Sequence, residues 1–166
     1  SRRRFPHPEG GAGNRMSTAK IIRAKGYTWE NVPVREYKNE GSHYKDITRQ
    51  TILGEGEGEE ALNCITRYFE IQPGGYSTLE RHEHTHTVVI IRGSGEVILE
   101  DKVAPVGLHD VVYIGPDTFH QFHATGSEPL GFLCIVDRNR DRPRLPEAED
   151  INRLMANEAV AKRLRT

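Results

Sequence analysis

Only two cysteines, Cys64 and Cys134, occur in the 166-residue chain. Two thiols cannot build a disulfide framework, so a reducing, cytoplasmic setting is expected. Neither charge sign dominates: 23 Lys and Arg against 24 Asp and Glu leave a formal net charge of -1. That balance speaks against a nucleic-acid partner, which would call for a strongly basic face. No apolar run approaches the roughly 18 residues of a membrane span, and no secretory leader pattern is present, so no membrane partner is expected either. Hydrophobic residues amount to 36%, which suits a single domain with a small core. Glycine and proline are plentiful by contrast, at 16 and 9 residues spread along the chain, and favour many short strands over long helices. Histidine is also plentiful. Six of the eight lie between His82 and His123.

Four segments follow from the composition. Residues 1–15 carry three consecutive arginines with almost nothing apolar, which predicts a disordered leader or appended tail ahead of Met16. Residues 16–61 are polar, with strands expected near 32–37 and 46–53 that pack on the main body. Within them, residues 54–60 form a glycine-rich acidic loop expected to be solvated. Residues 62–137 hold the dense strand signals. Residues 138–166 change character: Ile151, Leu154, Met155, Ala159, Val160 and Leu164 recur at helical spacing, which predicts one or two short amphipathic helices capping the body.

The strand signals have clear punctuation. The β-branched and aromatic run 64–71 is expected to stop at the turn Pro73-Gly74-Gly75. Residues 88–91 and 96–99 flank Gly93-Ser94-Gly95 and are expected to form a hairpin. Further strands at 103–106, 111–114, 120–124 and 130–136 complete an all-β barrel or sandwich.

The chemistry concentrates in Glu80-Arg81-His82-Glu83-His84-Thr85-His86. On an extended strand, alternate side chains share a face, so Glu80, His82, His84 and His86 would point the same way. Imidazoles lining a barrel without a partner carry a desolvation cost. A divalent cation relieves it, because neutral imidazole and carboxylate are common ligands of first-row metals. His120, beyond the turn 115–118, is placed to face the same interior. Ligation by His82, His84 and His86 together would require three ligands spread over about 13 Å of strand at about 3.3 Å per residue. That is difficult with ligand bonds of about 2 Å unless the strand bulges, so His84 is the alternative ligand.

The run Pro73-Gly74-Gly75, Glu80-x-His82-x3-His86, Gly93-x-Gly95 and then Pro116-x3-His120-x-Phe122 resembles the two paired motifs of the cupin superfamily, in particular its small single-domain manganese members. The resemblance covers about residues 62–136. It implies a cupin jelly-roll barrel, a double-stranded β-helix, with a short C-terminal helical segment. Counting back from Gly93, it implies Glu80, His82, His86 and His120 as metal ligands. It also implies a pocket lined by Arg67, Phe122, Phe132 and Cys134, with Glu80 as a candidate partner for Arg67. Two positions depart from the pattern: His109 stands where the family has glycine, and Ala124 where it has asparagine. His109 and His123 are expected to be exposed.

One divalent transition metal per chain is therefore expected, manganese or iron first and nickel or zinc as alternatives. Open coordination positions on such an ion would activate dioxygen or polarise a carbonyl. The first functional expectation is a metal-dependent oxidoreductase of dioxygenase type acting on a small organic molecule. The alternatives are a metal-dependent isomerase or lyase and a non-catalytic small-molecule-binding cupin. A homodimer is expected.

Overall fold

A computed structural model describes residues 19–37 and 43–166; the expected tail at 1–15 lies outside the described residues. A small hairpin comes first, β1 (Ala24–Lys25) and β2 (Thr28–Trp29), turning at Gly26. The chain then enters the main sheet as β3 (Arg35–Glu36) and β4 (Lys45–Leu53). Seven strands follow: β5 (Cys64–Tyr76), β6 (His86–Arg92), β7 (Gly95–Leu99), β8 (Lys102–Val106), β9 (Val111–Ile114), β10 (His120–His123) and β11 (Leu130–Asp137). They pair antiparallel in the spatial order β8-β7-β10-β5-β11-β6-β9, with β4 added on β5. Two helices close the chain, α1 (Ala148–Met155) and α2 (Glu158–Arg163).

The curled sheet encloses a core in which Phe69, Ile71, Val88, Ile90, Phe122, Phe132 and Val136 are buried. Period-2 alternation puts them there. On β10, His120 and Phe122 turn inward, as strand geometry requires of positions two apart. The rings of Phe69 and Phe122 pack against Phe132 at 5.7 and 4.6 Å between centroids.

Two turn signals act differently from their local reading. Pro73-Gly74-Gly75 does not end β5, which continues to Tyr76. Instead the register against β4 shifts between Lys45 and Ile47, and Gly74 takes a φ of 83°. A Cβ on Gly75 would stand 2.5 Å from the Lys45 carbonyl oxygen. The glycines therefore let one long strand bend, passing from β11 at one end to β10 at the other. This is the work of a bulge rather than of a turn. Likewise β6 and β7 do not form the expected hairpin: β6 pairs with β11 and β9, whereas β7 pairs with β10 and β8. Gly93, at φ 66°, lets the chain cross between them, and a Cβ there would meet the Pro129 carbonyl oxygen. His109 takes the glycine-like φ of 71° in the turn before β9, so the departure from the family pattern is accommodated as a strained but exposed residue.

The helices cover the outside of the barrel. Leu154 and Val160 are fully buried against Leu79, Ile98 and Phe119, and burying each such side chain stabilises the fold by about 1.5–3 kcal/mol. Asn157 caps α2 by accepting from the N–H groups of Ala159 and Val160. One acidic residue of the 54–60 loop is not solvated. Glu59 is buried, accepts from the Gly54 N–H at 2.6 Å and pairs with Lys20 at 3.0 Å.

Candidate metal centre

The segment from Glu80 to His86 is not one strand. Glu80 and Arg81 make isolated bridges to His120 and Arg144, and β6 starts only at His86. Asp141 causes the break. Its carboxylate accepts from the N–H groups of Glu83 at 2.8 Å and His84 at 3.0 Å, and from His84 Nδ1 at 2.7 Å. Burial opposes its charge, but these donors win and hold the carboxyl well below the usual carboxylate range. The backbone groups that a ladder would have used are satisfied by a side chain, and the chain folds inward instead of running straight.

That fold brings His82, His86 and His120 together, all three buried, with one ring nitrogen of each within 4.8 Å of the others. The tautomers follow from their partners. His82 Nδ1 donates to the His84 carbonyl at 2.6 Å, and His120 Nδ1 donates to the Thr118 carbonyl at 2.9 Å. Each is left with its lone pair on Nε2. His82 Nε2 is buried with no hydrogen-bond partner. Burial, followed by the neighbouring His120, lowers the pKa of His82 to about 4, and the same two causes push His86 down further. Neutral imidazoles with inward lone pairs and an orphaned buried nitrogen are what a divalent cation needs. The residues present fit a metal.

His84 and Glu80 stand differently. The His84 ring stacks on His82 at 3.7 Å and only 8° from parallel. The His86 ring also stacks on His82, at 4.3 Å and 26°, so stacking alone does not separate His84 from the other histidines. His84 Nε2 approaches His86 Nε2, at 3.1 Å, but His84 is outside the compact group formed by His82, His86 and His120. Glu80 is buried and lines the same cavity but is outside the compact three-histidine group; its Oε1 lies 3.5 Å from the Tyr37 hydroxyl. Burial and then the Glu80 charge raise the Tyr37 pKa well above its ordinary value, so that hydroxyl keeps its proton.

The histidines open into a cavity of about 230 Å³ that Arg67, Phe122, Phe132 and Cys134 also line. Arg67 does not pair with Glu80. Its Nη2 lies 3.5 Å from Cys134 Sγ, and its guanidinium sits 5.1 Å from the centre of the Phe69 ring. Cys134 Sγ is also 3.4 Å from His86 Nδ1. Burial pushes the thiol pKa up and outweighs the opposing pull of Arg67, so the thiol stays above its ordinary value. His109 is exposed as expected, whereas His123 is half-buried and bonded to Gln121 Oε1 at 2.8 Å. Burial and then Arg165 lower the His123 pKa to about 4.

Sequence reasoning passed over Tyr37, Arg49, Arg140 and Asp141, all of which line the cavity. They come from the end of β3, from β4 and from the segment after β11, where no motif spacing marks them.

A barrel of this topology with histidines gathered inside it defines the class. The chain belongs to the cupin superfamily, and the Cupin domain family matches residues 67–136. It is 45% identical over 136 residues to the 1-methylthio-D-xylulose 5-phosphate methylsulfurylase of Rhodospirillum rubrum, covering 81% of this chain and 85% of that protein. Two crystal structures are similar throughout. A cupin 2 conserved barrel domain protein from Rhodopseudomonas palustris is 41% identical, with a TM-score of 0.78, over 88% of this chain and 98% of that one. A cupin 2 domain-containing protein from Halorhodospira halophila is 51% identical, with a TM-score of 0.70, over 89% and 96%.

Proposed function

We propose that this chain is a metal-dependent enzyme that removes the methylthio group from a small phosphorylated keto sugar. His82, His86 and His120 hold one divalent ion, manganese or iron, with Glu80 as the fourth ligand. The observation that carries the reading is the position of Cys134, the cavity's one thiol among the described residues, with a guanidinium and a ligand imidazole both directed at its sulfur.

A divalent ion in this site supplies Lewis-acid polarisation of a substrate carbonyl. The protein groups supply the rest. An imidazole whose Nε2 lone pair is turned to a cation carries its proton on Nδ1, so His86 Nδ1–H and Arg67 Nη2–H both donate to Cys134 Sγ and favour the thiolate. The thiolate attacks the thioether sulfur of a substrate with its methylthio group next to a carbonyl. A sulfur–sulfur bond forms to Cys134 and the carbon–sulfur bond breaks. The electron pair passes to the carbon, giving an enolate that takes up a proton. An external thiol then attacks the methylthio sulfur, so that a new sulfur–sulfur bond forms, the bond to Cys134 breaks, Cys134 leaves as the thiolate and the methylthio group departs as a mixed methyl disulfide. Phe122 and Phe132 wall the cavity and keep water from the thiolate.

Dioxygenase-type oxidation, the first expectation from the sequence, would use the same histidines. The relative's named substrate and the placement of Cys134 favour the thioether reaction over it. The test is intact-protein mass spectrometry of the manganese-loaded protein mixed with 1-methylthio-D-xylulose 5-phosphate and no reductant. A methylthio adduct on the wild type, absent from Cys134→Ser with its metal content retained, is the expected result. Oxygen uptake without any adduct would overturn the proposal in favour of the dioxygenase reading.

A further inference from the structure

The cavity wall carries more positive charge than the chemistry around Cys134 uses. Arg49, Arg67 and Arg140 all line it, against two carboxylates among the described residues, Glu80 and Asp141, and Asp141 is committed to the His84 loop. Arg67 is engaged with Cys134, which leaves Arg49 and Arg140. Arg49 sits on β4 opposite Phe69, half-buried, and its Nε is buried with no hydrogen-bond partner. Arg140 is exposed in the segment after β11, and its Nη1 reaches only the carbonyls of Asp137 and Arg138, at 3.4 and 3.5 Å. Among the described residues, neither arginine forms an ion pair with a carboxylate.

The three guanidiniums also feel one another. The pKa of Arg140 is lowered by desolvation from the surrounding protein and then by the charge of Arg67, with Glu55 opposing and Arg49 adding to the effect. Like charges gathered around one cavity are a standing cost, which an anion between them relieves. Two guanidinium forks on one oxyanion are the geometry that phosphate recognition favours.

We infer that Arg49 and Arg140 form an anion clamp that takes the phosphoryl group of the substrate, holding it at the arginine side of the cavity while the keto end faces the histidines. The identity of the sugar rests on the function proposed above; the anion preference rests on the arginines alone. The clamp makes the phosphoryl group the specificity handle: it fixes the orientation of the chain, so that only the end remote from the phosphate reaches Cys134.

Calorimetric titration of the manganese-loaded protein with D-xylulose 5-phosphate and with D-xylulose tests the clamp. The wild type is expected to bind the phosphate ester at least about tenfold more tightly, equivalent to about 1.4 kcal/mol, with inorganic phosphate competing. Arg49→Gln and Arg140→Gln should each remove that preference and leave D-xylulose affinity unchanged. Equal affinity of the wild type for the two sugars, or variants that weaken both alike, would overturn the inference. The wild-type comparison stands even if a variant fails to fold. A phosphate preference that depends on the arginines, without a methylthio adduct on Cys134, upholds the clamp and sinks the thioether reaction. An adduct that forms with an unchanged KM in Arg49→Gln does the reverse.

Discussion

Leu79 and Glu80 are neighbours in sequence that face opposite ways, and so are Phe119 and His120. Glu80 and His120 line the cavity, while Leu79 and Phe119 lie under the C-terminal helices. The two regions thus share the same two stretches of backbone. Inside the barrel those stretches present groups that are costly to bury without a partner; outside they are fixed by apolar packing. Polar bonds reinforce the outer region. Gln121, fully buried between His120 and Phe122, donates to the carbonyls of Ser77 and Arg165 and accepts from the Arg165 N–H. The comparison teaches that the helical cap is part of how the histidine strands are held, although it contributes no side chain to the cavity.

The strongest way to break the comparison is through the cap. Leu154→Ala removes a fully buried side chain from the outer cluster and should destabilise the fold by about 2–5 kcal/mol, read as a fall in denaturant midpoint. Protein that remains folded should still bind metal at wild-type stoichiometry. A loss of metal without a loss of stability would mean that the outer region positions ligands and does not merely support the barrel.

A smaller effect is expected on the inner side. Asp141→Asn keeps the shape but weakens the acceptor that ties Glu83 and His84. The loop that Asp141 holds carries the His84 carbonyl that accepts from His82 Nδ1, and outer partners of ligand groups typically matter by about 10–100-fold in metal affinity. Asp141→Asn should fall near the lower end of that range in a competition titration against a chelator, with thermal stability little changed. Unaltered affinity would show that the loop keeps its shape without the carboxylate.

The smallest effect sharpens the outer side alone. His123 has its pKa lowered to about 4 by burial and then by Arg165, whereas in the unfolded chain it titrates near 6.5. Between those values the unfolded state binds more protons than the folded one, so stability should fall as pH drops from about 6.5 toward 4. His123→Gln should flatten part of that slope in metal-free protein while leaving metal binding intact. An unchanged slope would assign the pH dependence to other groups.

How much of this the sequence disclosed depends on whether the signal was local. Apart from the far end of β5, which runs on to Tyr76, alternation and turn residues marked the strands of residues 62–137 within a residue or two. Counting back from Gly93 in the cupin pattern singled out Glu80, His82 and His86, and the second motif pointed to His120; the three histidines form the compact group and Glu80 stands beside it. The misreadings share a cause. Pro73-Gly74-Gly75 and Gly93-Ser94-Gly95 carry turn chemistry that serves equally for a bend within a strand or a crossing between pairings; only distant partners decide. His123 looked exposed because alternation gives a direction and not what stands beside it, here Gln121 and the Tyr76 ring. The straight strand expected from Glu80 to His86 failed because Asp141, more than fifty residues away, competes for its N–H groups. Arg49, Arg140 and Tyr37 reach the cavity from separate segments, and a residue joined to a site only by tertiary structure leaves no spacing to read.

Metal content bears most directly on the claim that three buried imidazoles gather to grip a single cation. Untagged protein should be incubated with manganese or iron, freed of excess ion and analysed for elements beside its His120→Ala and His123→Ala variants. The wild type and His123→Ala should each retain one ion per chain, and His120→Ala severalfold less. Equal content in His120→Ala and the wild type, or no stoichiometric ion in any of the three, would contradict the account.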